Sequence, residues 1–244
     1  MTTEHKYRFR TRVKHKYFSL KRNVFNNLQK IIGWNYKNNI NSYLKNNKNN
    51  SDLNGMYKQL NVYKFEGHSG ELSEETALLE AYSKTAKNIF EIGFNAGHSS
   101  ETFLKANSNS IVVSVDLGYW HYVKYGEYYL NKKYPKRHTL VIGDSITSVI
   151  SFTKSNKTKF DLIFVDGNHD YKYAFNDILN CKNLADKNSL LLVDDIERKI
   201  SNQTGKNIGP TKAWDELIKS SYIEEVDYIQ FSNSRGVAVG RYIF

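Results

Sequence analysis

The sequence predicts an α/β fold: a doubly wound, seven-stranded sheet, mostly parallel, ending in a C-terminal antiparallel hairpin and preceded by a basic N-terminal extension. Three observations predict it. Five short apolar runs recur, "NIFEIG" (88–93), "SIVVSVD" (110–116), "HTLVIGD" (138–144), "FDLIFVD" (160–166) and "SLLLVDD" (189–195). Segments with helical spacing lie between and after them, near 98–106, 121–133, 145–154, 172–186 and 211–220. Two last runs, "YIEEVDYIQF" and "GVAVGRYIF", follow with no helix between them. Near-continuous apolar strands separated by helices indicate a parallel sheet covered on both faces. Two strands joined directly indicate an antiparallel pair at the sheet edge.

The elements before the sheet are less regular. Residues 1–16 alternate bases with Tyr, Phe and Val, as a strand or a frayed arm would. Leu20, Val24, Leu28, Ile31 and Ile32 recur at helical intervals and predict an amphipathic helix over 18–32. The Asn-rich stretch near 46–52 reads as a linker. The expected organisation is therefore an extension over 1–52 and a folded domain over 53–244. "SEETALLEAYSKTAK" predicts a helix with Ser73 as N-cap and Glu74 and Glu75 in the first turn, where the helix dipole favours anions.

Charge follows the same division. The net charge is +10, yet residues 1–50 hold 12 Lys/Arg and one acid, a net of +11. Residues 51–244 hold 23 Lys/Arg and 24 acids, a net of −1. The basic arm could meet phosphates, anionic lipid or an acidic partner, or be a solvated face of lysines. A single cysteine, Cys181, excludes an internal disulfide framework and fits a reducing compartment. The N-terminus lacks the apolar core of a signal peptide, and no apolar run nears the ~18 residues of a membrane span. A soluble, cytoplasmic protein is expected.

In an open α/β sheet, ligands bind outside the carboxyl ends of the strands. All five predicted parallel strands end in polar residues there: Glu91 and Gly93, Asp116, Asp144, Asp166, and Asp194 with Asp195. One such acid is an ordinary turn or cap; five in succession point to a site. The first loop, "EIGFNAGHSS", has Gly93 and Gly97 for close backbone approach before a helix N-terminus. A dinucleotide fingerprint needs glycines at 93, 95 and 98, so Asn95 and His98 disfavour NAD or FAD. Asp116, at the end of the second strand, is placed to accept both hydroxyls of a ribose. Loop and acid together suggest a nucleoside-containing cofactor.

"EIGFNAGHSS", "VDLG", "GDS", "FVDGNHDY" and "LLLVDD", in this order and spacing, resemble a class I S-adenosylmethionine-dependent methyltransferase, whose fold is Rossmann-like. Within that class the acids after the fourth and fifth strands are similar to those of the divalent-metal-dependent O-methyltransferases, the catechol, caffeoyl-CoA and sugar-modifying group. The resemblance covers residues 70–244. It departs from the commonest loop at Asn95, where a glycine is usual. It implies that Gly93, Phe94, Asn95, Ala96, Gly97, His98 and Ser99 wrap the methionine part of S-adenosylmethionine, with Glu91 beneath. Asp116 would hold the ribose, Gly143, Asp144 and Ser145 would meet the adenine, and Asp166 would lie beside the cofactor. Asp166, Asp194 and Asp195 would bind one divalent cation such as Mg²⁺.

Chemistry supports the metal separately. Three converging carboxylates repel one another, and a hard cation relieves this. A cap at Asp194 and Asp195 is the competing reading. Neighbours on a regular strand also point to opposite faces, so joint use requires the strand to end near Val193. His169 is the candidate base. It stands where the catechol and caffeoyl-CoA enzymes have a lysine, while Asn168, where the sugar-modifying relatives have an aspartate, cannot take a proton. Ordering of the loop is the alternative role for His169. The long stretch 196–217 could close as a lid. The implied acceptor is a hydroxyl of a small molecule or sugar, in a possible homodimer. Two rivals are a nucleic-acid methyltransferase anchored by the basic arm and a non-catalytic binding subunit. The neutral body and the presence of only two prolines, Pro135 and Pro210, with no Asn/Asp-Pro-Pro-aromatic motif, disfavour the first. The intact acids disfavour the second.

Overall fold

The computed structural model describes residues 35–48, 50–65, 72–198, 208–232 and 235–244, with residues 20, 23, 24 and 27 besides. Its helices are α1 (Tyr36–Asn46), α2 (Leu53–Gln59), α3 (Ser73–Ser83), α4 (His98–Ala106), α5 (Val123–Lys133), α6 (Ser145–Ser155), α7 (Tyr171–Cys181) and α8 (Ile208–Lys219). Its strands are β1 (Asn88–Ile92), β2 (Ile111–Asp116), β3 (His138–Ile142), β4 (Leu162–Val165), β5 (Leu190–Ile196), β6 (Ile223–Gln230) and β7 (Gly236–Tyr242). They form one seven-stranded sheet in the order β3-β2-β1-β4-β5-β7-β6. β1 to β5 pair in parallel; β7 runs antiparallel between β5 and β6. The expected terminal hairpin is thus present, with β6 as the outer strand.

Strand sequence explains the layering. Alternate residues point to opposite faces. In β4, Leu162 and Phe164 join one core with Phe94, Phe103, Tyr125 and Leu130, while Ile163 and Val165 join the other with Phe90, Ile178, Trp214 and Leu217. Every residue of β4 is buried, which is why its pattern is a continuous apolar run and not an alternating one. Strand order reverses between β1 and β4, and the crevice at such a switch point lies beyond the carboxyl ends of those two strands.

The N-terminal division expected at residue 52 cuts through this packing. Ile40 and Tyr43 of α1 and Leu53, Met56 and Tyr57 of α2 all belong to the first core. Asn35 caps α1 by accepting from the Lys37 and Asn38 amides, and Asp52 caps α2 by accepting from the Gly55 amide at 2.6 Å. Ser51 is buried, and its carbonyl accepts from Lys133. Residues 51 and 52 of the Asn-rich stretch are therefore held against the domain. The arm over 1–16 and most of the helix expected over 18–32 lie outside the described residues; Leu20 and Val24 are helical and exposed. Ser73 is the first residue of α3 and Leu72 occupies its cap position without a side-chain bond, one residue from the expected cap.

Candidate active site

The first loop is shaped by backbone conformations that few residues adopt. Gly93 has φ +100°, and a Cβ there would lie 1.8 Å from the Asp166 carbonyl oxygen. Asn95 (φ 49°) and Gly97 (φ 88°) are also left-handed. The chain doubles back, so its side chains divide between core and rim. Phe94 and Ala96 are buried, with the Phe94 ring 5.0 Å from that of His138. At those two positions only backbone is left for a ligand. His98 is buried with Nε2 2.9 Å from Asn54 Oδ1 of α2. The Tyr57 hydroxyl reaches the Ala96 carbonyl at 2.8 Å. These α2 contacts to the loop were not legible beforehand, because nothing local in "SDLNGMYKQL" points to residue 96.

Glu91 is fully buried beneath the loop. It accepts hydrogen bonds from Ser99, from Ser100 at 2.5 Å and from Ser114 at 2.5 Å. Burial raises its pKa while the serines oppose the shift. Ser99 is committed to Glu91, so both residues hold the loop and offer no open side chain. Asp116 accepts from the Asn95 amide (2.8 Å) and the Gly118 amide (2.6 Å). Carboxylate oxygens keep a further lone pair, so Asp116 is oriented and can still take a diol. Burial raises its pKa as well. Gly143 donates to the Asp116 carbonyl at 2.9 Å, which brings 143–145 beside it. Asp144 caps α6 through the Ile146 amide and accepts from the Tyr173 hydroxyl at 2.8 Å. The Tyr119 pKa, raised to about 12 by burial, keeps that phenol neutral nearby.

The acids meet one strand further on. Asp166 follows β4, and Asp194 and Asp195 lie within β5. The strand does not end at Val193 as joint use seemed to require; it continues to Ile196. Its pairing with β7 slips between Val193 and Ile196, and Asp195 has φ 59°. This bulge adds a residue on one side and re-aims the side chains of neighbours that would otherwise oppose each other. Asp195 then meets His169 Nε2 at 2.7 Å and Arg235 Nη1 at 3.2 Å. One ligand oxygen or nitrogen each from Asp166, His169 and Asp195 lie within 4.8 Å of one another, as do those from Glu75, Asp166 and Asp194. Burial, then the neighbouring acids, pushes the Asp166 carboxyl far above its usual range. Burial, then Glu75 and Asp195, does the same for Asp194. Two members were missed in the sequence. Glu75 reads as a helix-dipole acid but is buried in the cluster. Arg235 stands just before β7 with no motif around it.

The donor set suits both implied groups. Oxygen ligands without cysteine match a hard divalent cation. The Gly93–Ser99 turn, Asp116 and the 143–145 turn share one sheet edge, as a nucleoside ligand needs. A family profile described as a methyltransferase domain matches residues 90–196. Residues 90–196 form a methyltransferase domain. It starts in β1 and ends at the last residue of β5, so it contains the loop, Asp116, Asp166, His169 and the acid pair. Among solved structures, an O-methyltransferase from Bacillus cereus in complex with SAH is 15% identical with a TM-score of 0.62, over 83% of this chain and 96% of that one. The O-methyltransferase TomG from Streptomyces achromogenes, involved in tomaymycin synthesis and in complex with SAM, is 14% identical with a TM-score of 0.57, over 77% and 86%. A Methanococcus jannaschii fibrillarin, a pre-rRNA processing protein, is 16% identical with a TM-score of 0.54, over 72% and 76%. At these identities the methyltransferase domain shares their fold. No curated protein matches the sequence.

Proposed function

We propose that the chain is an S-adenosylmethionine-dependent O-methyltransferase in which a divalent cation, Mg²⁺ by its ligand chemistry, assists methyl transfer to a hydroxyl of a small molecule or sugar. The observation that carries this is the meeting of a His169–Asp195 pair with the half-buried Asp166 and buried Asp194 carboxylates, beside the Gly93–Gly97 turn. When bound, S-adenosylmethionine supplies an electrophilic methyl on a sulfonium, and the cation supplies Lewis acidity toward the acceptor hydroxyl. Positioning and proton handling belong to the protein.

Asp195 pairs with His169 Nε2 and orients the imidazole. The imidazole then takes the acceptor's proton, and Asp195 stabilises the imidazolium that forms. Asn168 is committed elsewhere: its Oδ1 accepts from the Asp170 amide at 2.8 Å. Asp166 and Asp194 hold the cation, and Asp116 takes the ribose. Among the described residues, no helix is long and apolar enough to cross a membrane. With its lone Cys181 buried, the protein suits the cytoplasm, and a homodimer is compatible with this reading. Calorimetric titration with S-adenosylhomocysteine, with Mg²⁺ and then with chelator, tests the proposal. Micromolar binding with a separate Mg²⁺ isotherm supports it; cofactor binding without a metal isotherm removes the cation, and no cofactor binding removes the whole reading.

A further inference from the structure

We infer that Glu75, from the first turn of α3, is the third protein ligand of the cation, and that Asp195 is not a ligand but the positioning residue of His169. The inference rests on the metal-assisted reading above and moves the ion toward the sheet interior. Two overlapping ligand sets exist: an outer one of Asp166, His169 and Asp195, and an inner one of Glu75, Asp166 and Asp194. An ion bound by oxygens at about 2.0–2.6 Å spans opposite ligands about 4–5 Å apart, so either set has the right size.

Three observations favour the inner set. Both Asp195 oxygens already face cationic partners, Oδ2 at 2.7 Å from His169 Nε2 and Oδ1 at 3.2 Å from Arg235 Nη1, the second as an ion pair without a hydrogen bond. A cation on Asp195 would face that permanent positive charge. Asp194 is 5% exposed, and its Oδ1 is buried with no hydrogen-bond partner among the described residues. Such an acceptor is costly unless something binds it. Glu75, 1% exposed, brings a third carboxylate to the same two acids from the helix side. Charge agrees: with all four carboxylates ionised against Arg235 and a protonated His169, two negative charges are left, which is what a divalent ion would offset. The division of labour follows. The inner acids hold the ion, and the bulged Asp195 orients the base next to it.

The test is Mn²⁺ binding to the full chain, followed by the electron-spin signal of free Mn²⁺ with S-adenosylhomocysteine present. Glu75→Gln should weaken Mn²⁺ at least about tenfold. Asp195→Asn should leave Mn²⁺ affinity within about threefold while turnover collapses. In thermal melts, Glu75→Gln without metal should be at least as stable as wild type, because one of several converging acids is gone; Mn²⁺ should raise its melting temperature less. If that variant does not fold, Glu75→Asp, which keeps the charge and shortens the reach, should bind Mn²⁺ more weakly. Unchanged Mn²⁺ affinity in the Glu75 variant, with affinity lost in Asp195→Asn, overturns the inference and leaves a metal enzyme with the outer site. No Mn²⁺ uptake by wild type overturns the metal-assisted reading itself.

Discussion

A carboxylate's partner decides what it can do, and Asp195 shows this most directly. Its left-handed φ and the bulge around it turn it toward His169 and away from the second core. His169→Ala and Asp195→Asn should each lower turnover at least about a hundredfold, the range of one general base, with S-adenosylhomocysteine affinity nearly unchanged. A matched loss of cofactor affinity would assign both residues to binding. Asp177 of α7 offers a test of stability. It is fully buried, neither oxygen makes a hydrogen bond of good geometry among the described residues, and burial pushes its pKa up to about 7 against the opposing effect of the nearby Ser145. Its folded pKa exceeds the unfolded ~3.9, so the folded chain holds a proton that the unfolded chain has lost. The contribution of this group is complete below about pH 4 and is lost as pH rises through 7. Asp177→Asn should therefore gain roughly 2–3 kcal/mol over wild type on going from pH 5 to pH 8 in urea unfolding. A pH-independent difference would mean that Asp177 is ionised or neutral throughout.

Elements meet at the base through glycine. α8 opens with Ile208, Gly209 and Pro210, and a Cβ on Gly209 would lie 1.9 Å from the His169 carbonyl oxygen and 2.6 Å from the Tyr171 amide nitrogen. The helix start thus presses on the turn that carries His169, the proposed base. Proline fits there because first-turn amides have no partner within the helix. Gly209→Ala must push that turn aside. It should reduce turnover at least about tenfold while thermal stability falls by only about 1–3 kcal/mol, the usual range for overpacking. Wild-type turnover with the same stability loss would show that the His169 turn moves without consequence. Gly93 has the same tightness against the Asp166 carbonyl, in the loop under the cofactor edge. The tight turn in "EIGFNAG" was legible because glycine spacing is a local signal. The packing of Gly209 on residue 169 was not, because it joins segments about forty residues apart.

At the scale of the molecule, the N-terminal helices belong to the fold. Deleting residues 1–34 removes none of the buried side chains described in the core, whereas deleting 1–52 strips Ile40 and Tyr43 and the Ser51 carbonyl that binds Lys133. Each large apolar side chain buried contributes about 1.5–3 kcal/mol, so the longer deletion should cost on the order of 3–5 kcal/mol more than the shorter one in denaturant unfolding. Equal stabilities would return α1 to the extension. The sequence alone determined the sheet class, the positions of its strands and the edge at which chemistry gathers. Those rest on hydrophobic period and turn residues, which act within a few positions. It also pointed to Asp166, Asp194, Asp195 and His169. Only the tertiary structure decided how those groups pair. The bulge in β5, the reach of Glu75 from α3 and the arrival of Arg235 from the start of β7 are long-range meetings, and a carboxylate's role depends on which charges stand within a few ångströms of it.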